Sequence, residues 1–185
     1  QFERCTLQDG DFSQGNLTNG VFASCDLSKS NMTNATLTNV RFESCGLQGV
    51  NFAGADLRGS NILEYDIRSL KLTQSTLSGL RVDGADMSGC DLSGANMSGV
   101  VLRKCNLTGV KLDKANLSNA VLTECTLTGA TFSGASMLSA EMSNCDLSQR
   151  DFTNYNMQSM RLNNCNMQGS VFDQAQMQKL EATNC

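Results

Sequence analysis

Residues 84–100 read GADMSGCDLSGANMSGV, three near-copies of one five-residue phrase (ADMSG, CDLSG, ANMSG) laid end to end. A period of five fits neither the amphipathic helix, whose apolar residues recur about every 3.6 positions, nor the half-buried strand, whose side chains alternate with period 2. The period belongs to a larger object. With Met87, Leu92 and Met97 taken as phrase centres, the centre recurs every five residues from Phe2 to Ala182 and never slips. Its 37 occupants are 17 Leu, 8 Phe, 8 Met, 2 Ile, one Val and one Ala, so no centre is polar. The register leaves no linker, and residues 1–185 are read as a single repeat domain.

Two residues before each centre stands a second apolar set, small where the centres are large: Ala55, Ala85, Cys90, Ala95, Cys105 and Ala115 are typical. A polar residue, often Asp or Asn, lies between. Small-in, polar-out, large-in is a three-residue strand, because successive side chains point to opposite faces. The last two residues of the phrase then form a corner. Of the 16 Gly, 12 occupy the final position, and Asn takes it eight more times; both residues accept the positive φ that tight turns demand.

The cysteines give the number of corners per coil. Eight of the nine (Cys5, Cys25, Cys45, Cys105, Cys125, Cys145, Cys165 and Cys185) are spaced by multiples of 20, and only Cys90 is not. Phe obeys the same spacing: Phe2, Phe22 and Phe42 fall on one face, and Phe12, Phe52, Phe132, Phe152 and Phe172 on the opposite one. Four phrases therefore make one square coil, stacked on its copy 20 residues later. The four faces are named here by their first centres: first (Phe2), second (Leu7), third (Phe12) and fourth (Leu17).

The phrases CDLSK (25–29), ADLRG (55–59), CNLTG (105–109) and ANLSN (115–119) resemble the pentapeptide-repeat family, whose consensus is Ala-(Asp or Asn)-Leu-X-X. The resemblance spans the chain. It implies an all-β fold, a right-handed quadrilateral parallel β-helix (solenoid). About nine coils of 20 residues, rising about 4.8 Å each, give a rod roughly 45 Å long. Some members of the family bind DNA gyrase or topoisomerase IV, confer quinolone resistance and imitate duplex DNA, which makes a DNA-mimicking gyrase binder one reading of function. The repeat itself encodes a core rather than a site.

Composition narrows the chemistry. The absence of His removes the usual general base, the Ser–His and Cys–His nucleophile pairs and most zinc sites. Each Gly at a corner is explained by the turn, so none forms a phosphate loop. Neither a cofactor nor a metal is expected, and the chain is not read as an enzyme. The cysteines are read as small inward fillers, since parallel Cβ vectors are poor disulfide geometry and a straight row of thiols does not converge tetrahedrally. Free thiols favour a reducing compartment, so the bacterial cytoplasm is expected, with a secreted effector as the other setting. No apolar run reaches the length of a membrane span. The chain starts at Gln1 and stops at Cys185 partway through a coil, and is read as an excerpt of a longer protein with end-to-end or cap-mediated association at its ends.

With 14 basic and 18 acidic residues, net −4, two Tyr and no Trp, direct nucleic-acid binding is not expected. The acids are also spread out. The second face carries Asp9, Asp26, Asp66, Asp86 and Asp146 against Lys29 and Arg68; the first face mixes seven acids with six bases; the fourth is nearly neutral. No face is a continuous acidic stripe, which weighs against duplex mimicry. On the fourth face Thr18, Thr38, Ser78, Ser98 and Ser118 are expected to stack as hydroxyls, a solvated surface interrupted by Arg58 and Leu138.

The repeat breaks its own rules in two places. In SNILEYDIRSLKL (60–72), Tyr65 stands in the cysteine row, Leu70 fills another small position and Leu63 is read as pointing outward, so the coil is expected to bulge. Later, Arg150, Tyr155 and Met160 fill three successive small positions. Arg150 must tilt outward or find a carboxylate such as Asp151 or Asp173, because an unpaired buried charge is costly. Tyr65, Arg150 and Tyr155 are thus the candidate partner-binding residues. The function expected is a non-enzymatic scaffold that presents rigid faces to a protein partner, as a module of a larger bacterial protein such as an effector or a delivery component.

Overall fold

The structure is a computed structural model that describes the backbone of residues 1–185 and every side chain except that of Leu63, so the outward reading of Leu63 lies outside the described residues. It is an all-β solenoid of parallel strands. Three-residue strands line the first face: β1 (Phe2–Glu3, two residues), β2 (Val21–Ala23), β3 (Arg41–Glu43), β4 (Arg81–Asp83), β5 (Val101–Arg103), β6 (Val121–Thr123), β7 (Glu141–Ser143), β8 (Arg161–Asn163) and β9 (Glu181–Thr183). Every pairing is parallel and 20 residues apart, as in Phe22 with Phe42 and Leu102 with Leu122. The other faces pair through single bridges at the same interval, for example Thr6 with Asp26, Asp11 with Asn31 and Asn16 with Thr36.

The core is linear. Large centres such as Leu27, Met32, Leu57, Leu92 and Leu117 are almost wholly buried, together with the small set Ala35, Ala55, Ala95 and Cys105. Phenylalanines stack along the axis, Phe2 on Phe22 with ring centroids 4.8 Å apart and Phe152 on Phe172 at 5.2 Å. Across the coil they meet edge to face, as Phe42 does Phe52 at 6.1 Å. Ring pairs of both kinds stabilise beyond the area they bury.

The corners explain the polar letters of the phrase. Every final position has a positive φ except Glu64 and Ser69, including residues as unsuited to it as Lys104 (φ 52°) and Glu124 (φ 57°). The outward Asp or Asn then closes the turn: Asp91 Oδ1 accepts the Ser93 N–H at 3.0 Å, and Asn96 Oδ1 accepts the Ser98 N–H at 3.1 Å. Short acceptors of this kind fit such local bonds. The same atoms also bond along the stack, as when Asn106 Nδ2 donates to Asp86 Oδ1 at 3.1 Å.

One corner in four differs. Corners that follow the second, third and fourth faces close with a backbone bond across four residues, such as Gly10 N–H to Leu7 C=O (3.0 Å) and Val40 N–H to Leu37 C=O (3.1 Å), except at Arg150, whose N–H donates to Ser170 Oγ at 3.2 Å. The corner after the first face, where the cysteine row stands, makes no such bond among the described residues except at Tyr65, whose N–H donates to Ile62 C=O at 3.3 Å. There the thiols donate to the centre carbonyl of the coil below: Cys45 to Phe22 (3.2 Å), Cys125 to Leu102 (3.5 Å) and Cys165 to Met142 (3.4 Å). The thiol is thus a donor as well as a filler. Cys90, outside the row, sits at a closed corner, its own N–H bonded to Met87 C=O at 3.2 Å. All nine cysteines are free.

The ladder of the first face is interrupted once. It forms one sheet of β1–β3 and another of β4–β9, and the coil between them has a 3-10 turn, Ile62–Glu64, where a strand belongs. The bulge expected in residues 60–72 is therefore present.

Candidate functional site

At the 3-10 turn the chain leaves the ladder but keeps its core. Ile62 remains fully buried. The next coil's strand would supply one acceptor and one donor to Phe42; the Asn61 side chain supplies both instead. Its Oδ1 accepts the Phe42 N–H at 2.9 Å, and its Nδ2 donates to Phe42 C=O at 2.8 Å. A carboxamide carries the same acceptor and donor pair as a peptide group, so the upper edge of β3 is closed by one side chain. Tyr65 completes it. Its hydroxyl donates to Phe42 C=O at 2.7 Å, the acceptor 23 residues back that the row's thiols use elsewhere. The ring is half-buried, and burial raises the phenol's pKa.

On the second face the bulge is held by charge. Arg68 pairs with Asp66 at 2.7 Å and reaches Asp86 in the next coil at 3.3 Å. Hydrogen bonds from the Arg68 side chain and backbone bring Asp66 down to about 2. Cys90 faces this cluster from inside; burial first, then Asp66 and Asp86, pushes its thiol up to about 11, so it is neutral and unreactive at pH 7.

Above the turn, β4 has no strand beneath it. In its equivalent coil Val101 N–H donates to Leu80 C=O at 2.8 Å; the matching Arg81 N–H has no partner among the described residues. A cleft of about 240 Å³ opens there, lined by Ser60, Asn61, Glu64, Leu80, Arg81, Val82 and Asp83. Leu80 and Val82 are each 9% exposed, whereas the neighbouring centres Leu77 and Met87 are at 0%.

The second irregularity surrounds Arg150. Of the two courses open to it, Arg150 does not take the carboxylate: its guanidinium forms no ion pair with Asp151 or Asp173, and the side chain is half-buried. Nη1 donates to Ala130 C=O at 3.4 Å, and Nε is enclosed without a partner. The repeat assigns that carbonyl to the Asp151 N–H, so Arg150 displaces a ladder bond: no bridge joins Thr131 to Asp151 among the described residues, although Lys111–Thr131 and Asp151–Val171 are made. The cause is steric, since a side chain this long at a small position spreads the two coils. Asp113 fills in, accepting from Thr131 Oγ1 at 2.8 Å and from the Ser133 N–H at 2.7 Å. Tyr155 stays half-buried with its ring edge-on to Phe152 at 5.7 Å, while Met160 is fully enclosed. Arg150, Asp113 and Tyr155 share a cleft of about 390 Å³.

The three residues singled out in the sequence thus do not form one site. Tyr65 belongs to the first interruption; Arg150 and Tyr155 belong to the second, four coils along. Sequence reasoning passed over Asn61, Glu64, Arg81 and Asp83, which line the first cleft. Asn61 occupies the outward position that Asn holds in regular phrases, and only the bulky Tyr65 and Leu70 nearby mark it as different. The hydroxyls of the fourth face turn sideways rather than forming an outward array: Thr18 donates to Asn16, Thr38 to Asp56, and Ser118 shares a bond with Ser136. Among the described residues no group of three or more acids and thiols is placed to hold a metal ion, and no helix is long and apolar enough to cross a membrane. What the clefts offer is unpaired backbone and mixed charge, a chemistry of binding.

Comparison with known proteins agrees with the repeat. A family model described as pentapeptide repeat region matches residues 1–77, and one described as pentapeptide repeats (8 copies) matches 71–109, 102–137 and 111–149. No curated protein matches the chain. Among solved structures, HetL, a pentapeptide repeat protein involved in heterocyst differentiation regulation from the cyanobacterium Nostoc sp. strain PCC 7120, is 22% identical, with 98% of this chain and 88% of that one covered and a TM-score of 0.49. Full-length QnrB1, a plasmid-mediated fluoroquinolone resistance protein, is 19% identical over 98% of this chain and 93% of its own, with a TM-score of 0.38. A pentapeptide repeat protein from the Arabidopsis thaliana thylakoid lumen is 23% identical over 74% and 64%, with a TM-score of 0.19. Identities this low say nothing of shared partners.

Proposed function

The chain belongs to the pentapeptide-repeat family, and from that premise we propose that it is a non-enzymatic interaction scaffold that presents a rigid rod to a protein partner. The observation that supports this is the contrast between a uniform rod and two local interruptions, where ladder groups come free and Tyr65, Arg150 and Tyr155 reach the surface. Irregularity within an otherwise consistent repeat tends to mark function. In this reading the rod is one module of a larger bacterial protein, cytoplasmic or delivered as an effector, and its partner is neither nucleic acid nor bilayer.

A photoreactive residue placed at Glu64 or Thr153, beside the clefts, is compared with one at Ser98 or Ser118, on uniform faces. Crosslinks to a cellular protein from the first pair and not the second support the proposal. Equal crosslinking from all four, or none, counts against it. Binding to gyrase or topoisomerase IV as a DNA mimic has less support. The chain has 14 bases against 18 acids, net −4, and Arg58 and Arg68 neutralise Asp56 and Asp66, so the field falls far below duplex density of one charge per ~1.7 Å. Micromolar protein is expected to leave gyrase supercoiling unchanged; inhibition would favour that alternative.

A further inference from the structure

We infer that the lower edge of β4, Arg81–Asp83, docks an extended segment of the protein partner whose side chains read acid, small, base. This rests on the scaffold reading and specifies where and what the scaffold binds. The edge is a strand in every respect but its missing neighbour. On its upper side β4 pairs with β5, Arg81 beside Val101 and Asp83 beside Arg103. On its lower side the Arg81 N–H is unpaired, and by the alternation of a strand the Asp83 N–H points the same way. A row of free backbone groups is a template for adding a strand. The chain closes the facing edge of β3 with Asn61 and Tyr65, so the strand position below β4 is the one left open.

The side chains specify the occupant. Arg81 and Asp83 are exposed and, among the described residues, neither forms an ion pair; Asp66 and Asp86 beyond them are already held by Arg68. Opposite charges placed side by side on neighbouring strands attract. A parallel segment therefore sets an acid beside Arg81 and a base beside Asp83, and the base also faces the exposed Glu64 at the cleft wall. The residue between points inward, where Ile62 already fills the core, so it must be small. Three such residues span about 10 Å.

The test uses the isotope-labelled full chain and two capped peptides, acetyl-Thr-Glu-Ala-Lys-Thr-amide and its analogue with N-methylated backbone amides. In the free protein the Arg81 and Asp83 amides should exchange with solvent at least tenfold faster than that of Val101. Millimolar peptide should shift and slow those two amides, and the N-methylated analogue should not. Arg81→Glu, an exposed change that should leave the melting temperature within a few degrees, should weaken binding about fivefold. Protection of the Arg81 and Asp83 amides in the free chain, absence of any shift, or equal action of the two peptides would overturn the inference. Any of these, alongside intact crosslinking from Thr153, would leave the scaffold reading standing; loss of all crosslinks would remove that reading instead.

Discussion

Replacing Asn61 with alanine isolates the device that lets the ladder stop. Asn61 makes two bonds to one peptide unit, 2.9 Å to the Phe42 N–H and 2.8 Å from its own Nδ2 to Phe42 C=O. Each such bond contributes a net ~1 kcal/mol, and a donor left unsatisfied in a largely buried place costs ~1–3 kcal/mol. The carbonyl keeps Tyr65 Oη at 2.7 Å, so only the N–H is orphaned. Asn61→Ala should therefore cost about 2–3 kcal/mol. Tyr65→Phe alone should cost about 1 kcal/mol or less, because Asn61 still serves the carbonyl. The double variant removes both partners of that oxygen and should cost more than the sum, by at least ~0.5 kcal/mol. The assay is denaturant unfolding of the four proteins, with amide exchange at Phe42 as the local readout. A cost below ~0.5 kcal/mol for Asn61→Ala, or unchanged protection of the Phe42 amide, would show that water replaces the side chain freely and that the 3-10 turn is not held by this cap.

Corners should rank by what lies beside them. Gly89 (φ 68°) has open space around an added Cβ, so Gly89→Ala should cost only the left-handed penalty of ~1–2 kcal/mol; Gly54 (φ 69°) abuts the Asn34 side-chain oxygen, and Gly54→Ala should cost ~0.5–1.5 kcal/mol more on denaturation. Acid should loosen the second face near Arg68. Asp66 lies at about 2 instead of 3.8, a depressed carboxyl, so its contribution is full above pH 4 and is lost between pH 4 and 2; Arg68→Gln should flatten that limb of the pH–stability curve. Among the thiols, a disulfide reagent should modify Cys185 within minutes and should reach Cys90, Cys105, Cys125, Cys145 and Cys165 only on unfolding; a fast phase of several thiols would show that the row is open.

The five-residue register and the 20-residue spacing of cysteine made most of the architecture legible, because every phrase reports the same two inward positions. Tyr65 and Leu70 located the bulge for the same reason, each being too large for the place it holds. The response of the chain was not legible. Whether a crowded coil tilts, spreads or gives up its strand depends on which polar atoms can replace ladder bonds, and Asn61 does so from a position where Asn is routine. Arg150 showed the reverse. The sequence allowed Arg150 an outward tilt or a carboxylate, yet the half-buried side chain bonds a backbone carbonyl instead. The cysteine row was read as packing because size alone accounts for it. The open corner that gives those thiols an acceptor is a property of backbone geometry on one face, which composition does not encode.

The split of the first-face ladder between β3 and β4 has a mechanical consequence. A solenoid is a chain of nearest-neighbour couplings, and its cooperativity is set by the weakest of them. Here that coupling lies in the coil of residues 61–70, where two faces lose their stacking bonds while the hydrophobic column runs on through Ile62, Ile67 and Leu70. Under stretching or partial denaturation the rod should part at this coil into an aromatic-rich N-terminal block and a longer C-terminal one. Each block should open on its own, so that a single chain behaves as two springs in series.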